Sequence, residues 1–396
     1  MILSVTNGRI VTATAVLSGA DIVVENGLVV AVRPEGGAGD CNAQLDLAGG
    51  WLLPGLIDTQ VNGGGGVLFN DAINVEGIRA IGAAHGPLGT TAFLPTLISA
   101  SPDRIVAAVD AVEAAIEQGV PGVLGLHVEG PYINFERKGI HDGRAIRKID
   151  AEIVTLLMRP RRGRVLLTIA PECCDVETIT QLTGAGVIVS LGHSNATYEE
   201  ALEAIDAGAT AVTHLFNAMS PLEHRAPGLV GAALDDPRCI CGLIADGVHV
   251  HEAALRIAIA AKGSDGIMLV TDAMPSVGTT DDSFMLQGKR IEVRDGVCRY
   301  ADGTLAGSDL DMAASVRNLV AMTGVSVPDA ARMASSVPAR LLGLETTHGA
   351  IAAGMRADWV HLDSDLQPRG TWIGGARLPE AVKRHHAGAG DVLTGE

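Results

Sequence analysis

Hydrophobic and polar positions follow two different rhythms along this chain. In residues 1 to about 50, runs such as DIVVENGLVVAVRP alternate apolar and polar side chains, and pairs such as Asn26-Gly27 separate them. The same pattern returns near the other end, in ADWVHLDSDL and GTWIGGARL. A period of two with Asn-Gly turns predicts short antiparallel strands. We therefore expect one small β-sandwich built from both ends of the chain, with Trp359 and Trp372 in its core.

Between the two ends, the pattern changes to apolar runs separated by helix-like segments. Strands are predicted at 52–62, 90–99, 123–131, 164–172, 187–195, 211–217, 241–249 and 267–273. Helices are predicted over 75–85, 103–118, 150–160, 175–183, 197–207 and 251–262. Eight strands that alternate with helices are typical of a (β/α)8 TIM-like barrel. A doubly wound open sheet is the alternative, but no G-x-G-x-x-G follows the first strand.

The rest of the chain completes the domain organisation. After the eighth strand, Asp-Gly pairs predict a hairpin insertion, and two helices over roughly 309–323 and 328–341 lead back to the sandwich. We expect a β-sandwich domain of residues 1–53 and 345–386, an α/β barrel domain of residues 54–344, and a flexible tail of residues 387–396.

Composition narrows the range of partners. The 396 residues are 47% hydrophobic and carry a net charge of −17, which opposes binding to nucleic acid or to an anionic membrane surface. The six cysteines form no paired C-x-x-C framework, and neither a signal peptide nor a membrane span is evident. We expect a soluble cytoplasmic protein, in which an anionic substrate would need a local cationic pocket.

Ligand-capable side chains follow the predicted strands. His193 and His214 end two β-branched runs that are 21 positions apart, about the length of one strand-helix-strand step. Neighbouring parallel strands would carry both imidazoles at the same end, where Glu129 also follows a strand. One carboxylate and two histidines are a common catalytic zinc set that leaves a position open for water.

The eighth strand ends in VTDA, so Asp272 would face the same crevice. There its carboxylate could take a proton from the attacking water and return it to a leaving group. The alternative is a carboxylate that caps a helix or orders a loop.

Several motifs together resemble the amidohydrolase superfamily and, within it, the N-acetylglucosamine-6-phosphate deacetylase family. The motifs are PGLIDTQVNGGGG, LGLHVEGPY, KGIHDG, LGHSNAT, THLFNAM, GLIADGVH, LVTDA and GTLAGSDL, and they span nearly the whole chain. The resemblance implies a barrel with a β-sandwich formed by both termini. It also implies hydrolysis of the acetamide of N-acetyl-D-glucosamine 6-phosphate, giving D-glucosamine 6-phosphate and acetate.

The resemblance assigns roles to individual residues. It makes Glu129, His193 and His214 the metal ligands and Asp272 the general base and acid, and His141 matches the histidine that polarises the acetyl carbonyl. The remaining matches contact substrate: Asn217, Ala218, Leu305, Ala306 and Gly307 the sugar, and Arg225 and His249 the 6-phosphate. Family members can share phosphate contacts across a dimer interface, so a homodimer is expected.

One departure from the wider superfamily concerns the metal count. Many amidohydrolases carry H-x-H after the first strand to ligate a second metal, whereas this chain has Gln60 and Asn62 there. Neutral amides are poor zinc ligands, so we expect one divalent ion per subunit and vestigial second-metal positions. Zinc is expected first, with iron, cobalt and manganese as alternatives.

Two rival functions stay open on the sequence. One is an amidohydrolase that acts on another N-acetyl amino-sugar phosphate, such as N-acetylgalactosamine 6-phosphate. The other is a non-catalytic, sugar-phosphate-binding protein on the same scaffold. An intact set of three ligands together with Asp272 argues against the second, because a scaffold without chemistry has no physical need for all four.

Overall fold

An eight-stranded parallel sheet forms the centre of the computed structural model, which describes residues 1–37 and 41–380. Its strands are Leu56–Val61, Thr90–Ile98, Gly125–Glu129, Arg164–Ile169, Ile188–Leu191, Ala211–Val212, Ile240–Leu243 and Ile267–Leu269. Each strand pairs in parallel with its neighbour in the sequence, as right-handed strand-helix-strand units require. All eight predicted strands are therefore present, with ends that differ by up to six residues. The first predicted run, 52–62, is divided, because Trp51–Pro54 pairs in the terminal sandwich and only Leu56–Val61 belongs to the barrel.

The first and eighth strands meet and close the barrel. The backbone N–H of Asp272 donates to the carbonyl of Gln60 at 3.0 Å, and that of Asn62 donates to the carbonyl of Ala273 at 2.9 Å. A parallel bridge between Val61 and Ala273 lies between these bonds. The (β/α)8 barrel is thus confirmed, and its closing contacts lie at the carboxyl ends of the strands.

Helices cover the outside of the barrel. They are Val75–His85, Pro102–Glu117, Ala151–Met158, Val176–Gly184, Tyr198–Asp206, Gly228–Asp235, Glu252–Lys262, Met312–Thr323, Val327–Ala334 and Ser336–Leu341. The capping box at Thr197 and Glu200 is present in both directions. The predicted helix over 328–341 is two helices, because Ser335 takes a non-helical backbone conformation with φ −133° and ψ −71°.

The helix Gly228–Asp235 is absent from the sequence prediction. Its GLVGAALD sequence is short and contains two glycines, which lower helix propensity. Six of its eight residues are buried, so packing rather than propensity holds the helix in place.

Strands from both chain ends form two sheets that share one core. One sheet contains Leu28–Arg33, Ala20–Glu25, Ile2–Thr6 and Ala43–Asp46; the other contains Ala376–Arg377, Pro368–Ile373, Trp359–Leu362, Trp51–Pro54, Arg9–Val11 and Val16–Leu17. Trp359 and Trp372 are buried between them, which confirms the sandwich from the termini. The domain boundaries stay a prediction, and the tail of residues 387–396 lies outside the described residues.

The hairpin insertion after the eighth strand forms an antiparallel sheet. Its strands are Ser283–Leu286, Lys289–Arg294, Val297–Arg299 and Leu305–Ser308. The last of them returns to the barrel, where the N–H of Ser308 donates to the carbonyl of Asp272 at 3.0 Å. The insertion therefore braces the end of the eighth strand.

In the described ranges, every helix is too short or too polar to pass through a bilayer.

Candidate active site

Three buried side chains meet at the mouth of the barrel. Glu129 ends the third strand, and His193 and His214 lie two residues beyond the fifth and sixth strands. Nε2 of His193 is 3.2 Å and Nε2 of His214 is 3.1 Å from Oε1 of Glu129, and the two nitrogens are 3.0 Å apart. Two imidazole nitrogens and one carboxylate oxygen that converge in this way suit a metal ion with an open coordination position. The group can therefore hold one metal.

Hydrogen bonds and charge prepare these side chains for a cation. Nδ1 of His193 donates to the carbonyl of Arg137 at 2.7 Å, which leaves the lone pair of Nε2 for the centre. Burial alone would raise the pKa of Glu129, but the adjacent imidazoles of His193 and His214 hold that pKa well below its usual value. Burial opposes protonation of His214, yet the Glu129 carboxylate raises its pKa. The site thus contains a fixed anion.

The backbone at the site is strained. His193, His214 and Asp272 have φ angles of 50°, 31° and 55°, in the left-handed region that side chains with a Cβ rarely adopt. Each such residue costs on the order of 1–3 kcal/mol, and such residues cluster at functional sites. The strain follows from turning each chain sharply as it leaves its strand, which directs the side chain over the barrel mouth.

Asp272 lies three residues beyond the eighth strand and faces the same opening. Its Oδ1 accepts from Nδ2 of Asn62 at 2.6 Å and from Nε2 of Gln60 at 3.1 Å. Within the described part of the chain, Oδ2 makes no hydrogen bond. Burial, followed by the nearby Glu129 charge, raises the pKa of Asp272 to about 6. A carboxylate with one free oxygen and a pKa near neutrality can both accept and return a proton.

Gln60 and Asn62 act as hydrogen-bond donors in this structure. Gln60 Nε2 bridges two carboxylates, because it also donates to Oε1 of Glu129 at 3.1 Å. Asn62 Oδ1 is buried and has no partner among the described residues. At the two positions that the sequence predicts to match the superfamily H-x-H motif, N–H groups therefore face anions, which is the opposite polarity to a metal ligand.

His141 lies beside the metal-ligand group. Its ring is 4.5 Å from that of His193, centroid to centroid, and its Nδ1 is 2.7 Å from the hydroxyl oxygen of Ser99. Burial, and then the neighbouring His193, lowers the pKa of His141 to about 3. The imidazole is therefore neutral and can offer one N–H.

The residues assigned to the sugar phosphate occupy loops around the mouth. Arg225 is exposed after the sixth strand and forms no ion pair within the described residues. His249 follows the seventh strand, where its Nδ1 donates to Asp246 at 2.6 Å. Asn217 donates to the carbonyl of His214 at 3.2 Å, and the adjacent Ala218 has a φ of 53°. Asp246 also accepts two backbone N–H groups, so it orders its own turn.

The segment Leu305–Gly307 packs directly behind the general-base candidate. Gly307 has a φ of +64°, and a Cβ there would lie 2.5 Å from Met274 and 2.9 Å from the carbonyl oxygen of Asp272. Only glycine allows this close approach. The position of the segment beside Asp272 is compatible with the sugar-contact role, which stays a prediction.

Two buried residues at the site escaped the sequence analysis. Ser99 directly follows the second strand, so the strand-end signal that picked out the other residues would have found it. Asp58 shares the inward parity of Gln60 and Asn62; it accepts from the Thr271 hydroxyl and from the backbone N–H of Gln60. Burial raises the pKa of Asp58 to about 7. Its hydrogen bonds tie the first strand to the eighth just below Asp272.

The chain is similar to known proteins in sequence and in fold. A model of the amidohydrolase family matches residues 51–382. An N-acetylgalactosamine-6-phosphate deacetylase of Shewanella sp. is 43% identical, with 86% of each chain covered. An N-acetylglucosamine-6-phosphate deacetylase of Haemophilus influenzae is 36% identical over 93% of this chain and 97% of its own length. The crystal structure of the Pasteurella multocida N-acetylglucosamine-6-phosphate deacetylase superposes with a TM-score of 0.91 at 37% identity, covering 96% of this chain and all of that one.

Replacing Glu129 with glutamine tests the ligand group. The amide keeps the shape of the side chain but removes the anion, so we expect bound divalent metal to fall several-fold below the wild-type content. Elemental analysis of purified protein measures this change. The matched control is Glu152→Gln on the exposed face of the helix Ala151–Met158, which should keep the wild-type metal content. Equal metal content in both variants would contradict the assignment.

Proposed function

The chain belongs to the amidohydrolase family, and we propose that it hydrolyses the acetamide of N-acetyl-D-glucosamine 6-phosphate to D-glucosamine 6-phosphate and acetate. Relatives named for this reaction match almost the full chain, in sequence and in fold. The observation that carries the proposal is the buried Glu129, His193 and His214 group with Asp272 beside it. A non-catalytic binding protein has no need for a proton acceptor at that position.

The side chains support acid-base chemistry at one amide. A divalent ion held by Glu129, His193 and His214 would supply Lewis-acid polarisation and an acidified water. Asp272 accepts the proton of the attacking water on its free Oδ2. It then donates that proton to the amine that leaves when the tetrahedral intermediate collapses. His141 donates a hydrogen bond to the acetyl carbonyl oxygen as negative charge develops there.

The amides of Gln60 and Asn62 hold the proton acceptor in position. Because they bind Oδ1 of Asp272, the other oxygen of the same carboxylate is directed away from them. Their donor polarity supports one metal per subunit, in agreement with neutral amides being weak ligands. We propose zinc first, with iron, cobalt or manganese as alternatives of similar ligand preference.

The 6-phosphate would be held by Arg225 and His249. An exposed guanidinium that has no ion-pair partner among the described residues suits bidentate binding of phosphate, and the overall charge of −17 makes such a local cation necessary. Binding energy from the phosphate would position the distant amide for attack.

We propose a homodimer in which part of this phosphate site comes from the partner. The cytoplasmic location inferred from the cysteines stays a prediction; none of the six, all of which lie in the described residues, forms a disulfide.

A second candidate substrate is N-acetyl-D-galactosamine 6-phosphate. The Shewanella relative at 43% identity is named for that substrate, and this similarity supports the epimer as an alternative. The two sugars differ at one hydroxyl group, and the acetamide and phosphate that the proposed residues contact are common to both. The reaction chemistry is therefore the same for either substrate.

Acetate release from the two sugar phosphates, with metal content measured on the same protein, tests the proposed function. We expect turnover of N-acetylglucosamine 6-phosphate at about one metal per chain, and a loss of at least about 100-fold in kcat/KM for the unphosphorylated sugar. A higher kcat/KM for the galacto epimer would select the second candidate. Metal-loaded protein that releases acetate from neither sugar phosphate would contradict both.

The variant Asp272→Asn tests the proton acceptor. The amide keeps the size of the side chain but cannot accept a proton, so kcat should fall about 100- to 10,000-fold. Metal content and binding of the sugar phosphate should stay near wild type, as measured by elemental analysis and calorimetry. Turnover close to the wild-type rate would remove Asp272 from the mechanism.

The variant Asn62→Leu tests how the amides tune Asp272. The Asn62 hydrogen bond lowers the pKa of this carboxylate, so its loss should raise that pKa further above the ordinary value. Because the base must be ionised to work, the acidic limb of the kcat/KM profile should move about 1 pH unit upward. Asn74→Leu, which changes a helix cap away from the site, serves as the control. An acidic limb unchanged in Asn62→Leu would refute the tuning.

A further inference from the structure

Ser99 links the second barrel strand to the imidazole of His141. It directly follows the strand Thr90–Ile98 and is 7% exposed. Its hydroxyl oxygen lies 2.7 Å from Nδ1 of His141, and its backbone N–H donates to the carbonyl of Glu129 at 2.9 Å. One residue therefore connects the proposed carbonyl-polarising ring with the strand that carries a metal ligand.

The close approach of Gly130 provides room for this hydroxyl. A Cβ on Gly130 would lie 2.5 Å from Oγ of Ser99, closer than side-chain atoms can approach. Gly130 also takes a φ of +71°, which other residues rarely adopt. The backbone next to Glu129 is thus shaped so that the Ser99 hydroxyl can occupy its place against the ring.

The hydrogen-bond inventory indicates which atom donates. A neutral imidazole carries one N–H, and the partner of one nitrogen decides which nitrogen carries it. Across residues 1–37 and 41–380, the bond to Nδ1 is the only hydrogen bond of the Ser99 hydroxyl, and Nε2 of His141 has no protein partner. Because a buried hydroxyl needs an acceptor for its hydrogen, Ser99 donates to the Nδ1 lone pair. The ring hydrogen then resides on Nε2.

We propose that Ser99 is a positioning residue that fixes His141 as the Nε2–H tautomer, the form that can donate a hydrogen bond to the acyl oxygen of the substrate. This inference rests on the proposed function for the identity of the acyl group. The direction of the Ser99–His141 hydrogen bond does not depend on the proposed function. In the opposite tautomer, Nε2 would present a lone pair to the acyl oxygen and repel it.

The ring nitrogens can be observed directly. Protein labelled with ¹⁵N-histidine and loaded with zinc gives separate NMR signals for protonated and bare imidazole nitrogens, and His141→Gln identifies the His141 pair. In the wild type we expect a protonated Nε2 and a bare Nδ1. A protonated Nδ1 in the wild type would overturn the proposal, whatever the activity of the protein.

Substitution of Ser99 separates positioning from packing. Ser99→Ala should lose the tautomer preference and lower kcat about 10- to 100-fold, while KM and zinc content stay at wild-type values. Ser99→Thr keeps a hydroxyl and should restore the tautomer and most of kcat. Ser315→Ala is the matched control, because Ser315 is a buried serine in the helix Met312–Thr323 whose hydroxyl has no partner among the described residues.

Two further results would overturn the proposal, and another result concerns the proposed function alone. Unchanged tautomer and kcat in Ser99→Ala would show that the hydroxyl fixes nothing. Equal losses in Ser99→Ala and Ser315→Ala would reduce the effect to packing. Wild-type protein that releases no acetate would contradict the proposed function, yet the ring-nitrogen signals would still decide the tautomer.

Discussion

The site depends on how the barrel closes between its first and eighth strands. The Asp272 N–H donates to the Gln60 carbonyl, and below them Asp58 accepts hydrogen bonds from Gln60 on the first strand and from Thr271 just beyond the eighth. These contacts fix the position of Asp272 along the barrel axis relative to Gln60 and Asn62. The parallel register between successive strands then sets the position of Glu129 along the same axis. If the closing pairs slipped by one residue, the side chains would turn to the opposite face of the sheet and the site would be lost.

Two carboxylates near one another are given different properties by their surroundings. Glu129 lies against two imidazoles, which hold its pKa well below the usual value. Asp272 receives hydrogen bonds from neutral amides, and burial together with the Glu129 charge raises its pKa to about 6. Glu129 is therefore suited to remain ionised beside a metal cation, and Asp272 is suited to accept and release a proton. Such separation of pKa values is how one site performs acid and base steps at neutral pH.

Two histidines contribute through the ring nitrogen that carries the hydrogen. The carbonyl of Arg137 sets His193 with a bare Nε2 toward the metal-ligand group, whereas a serine hydroxyl faces Nδ1 of His141. A carbonyl oxygen only accepts, so the ring nitrogen that faces it must carry the hydrogen. A hydroxyl that has no other acceptor donates its own hydrogen, so the ring nitrogen that faces it must be bare. Two imidazoles 4.5 Å apart can thus present opposite polarity to the same opening.

The sequence alone determined the eight strands, the sandwich from the termini and the residues at the strand ends. Periodicity and strand-end position are local signals, so they can be read from residues that are neighbours in the sequence. It did not reveal the helix Gly228–Asp235, which packing stabilises against its own glycines. Only the tertiary structure decided that Gln60 and Asn62 face carboxylates as donors, and that Ser99 and Asp58 belong to the site. The direction of a side-chain hydrogen bond depends on partners that lie far away in the chain. Such partners are brought together only when the barrel closes.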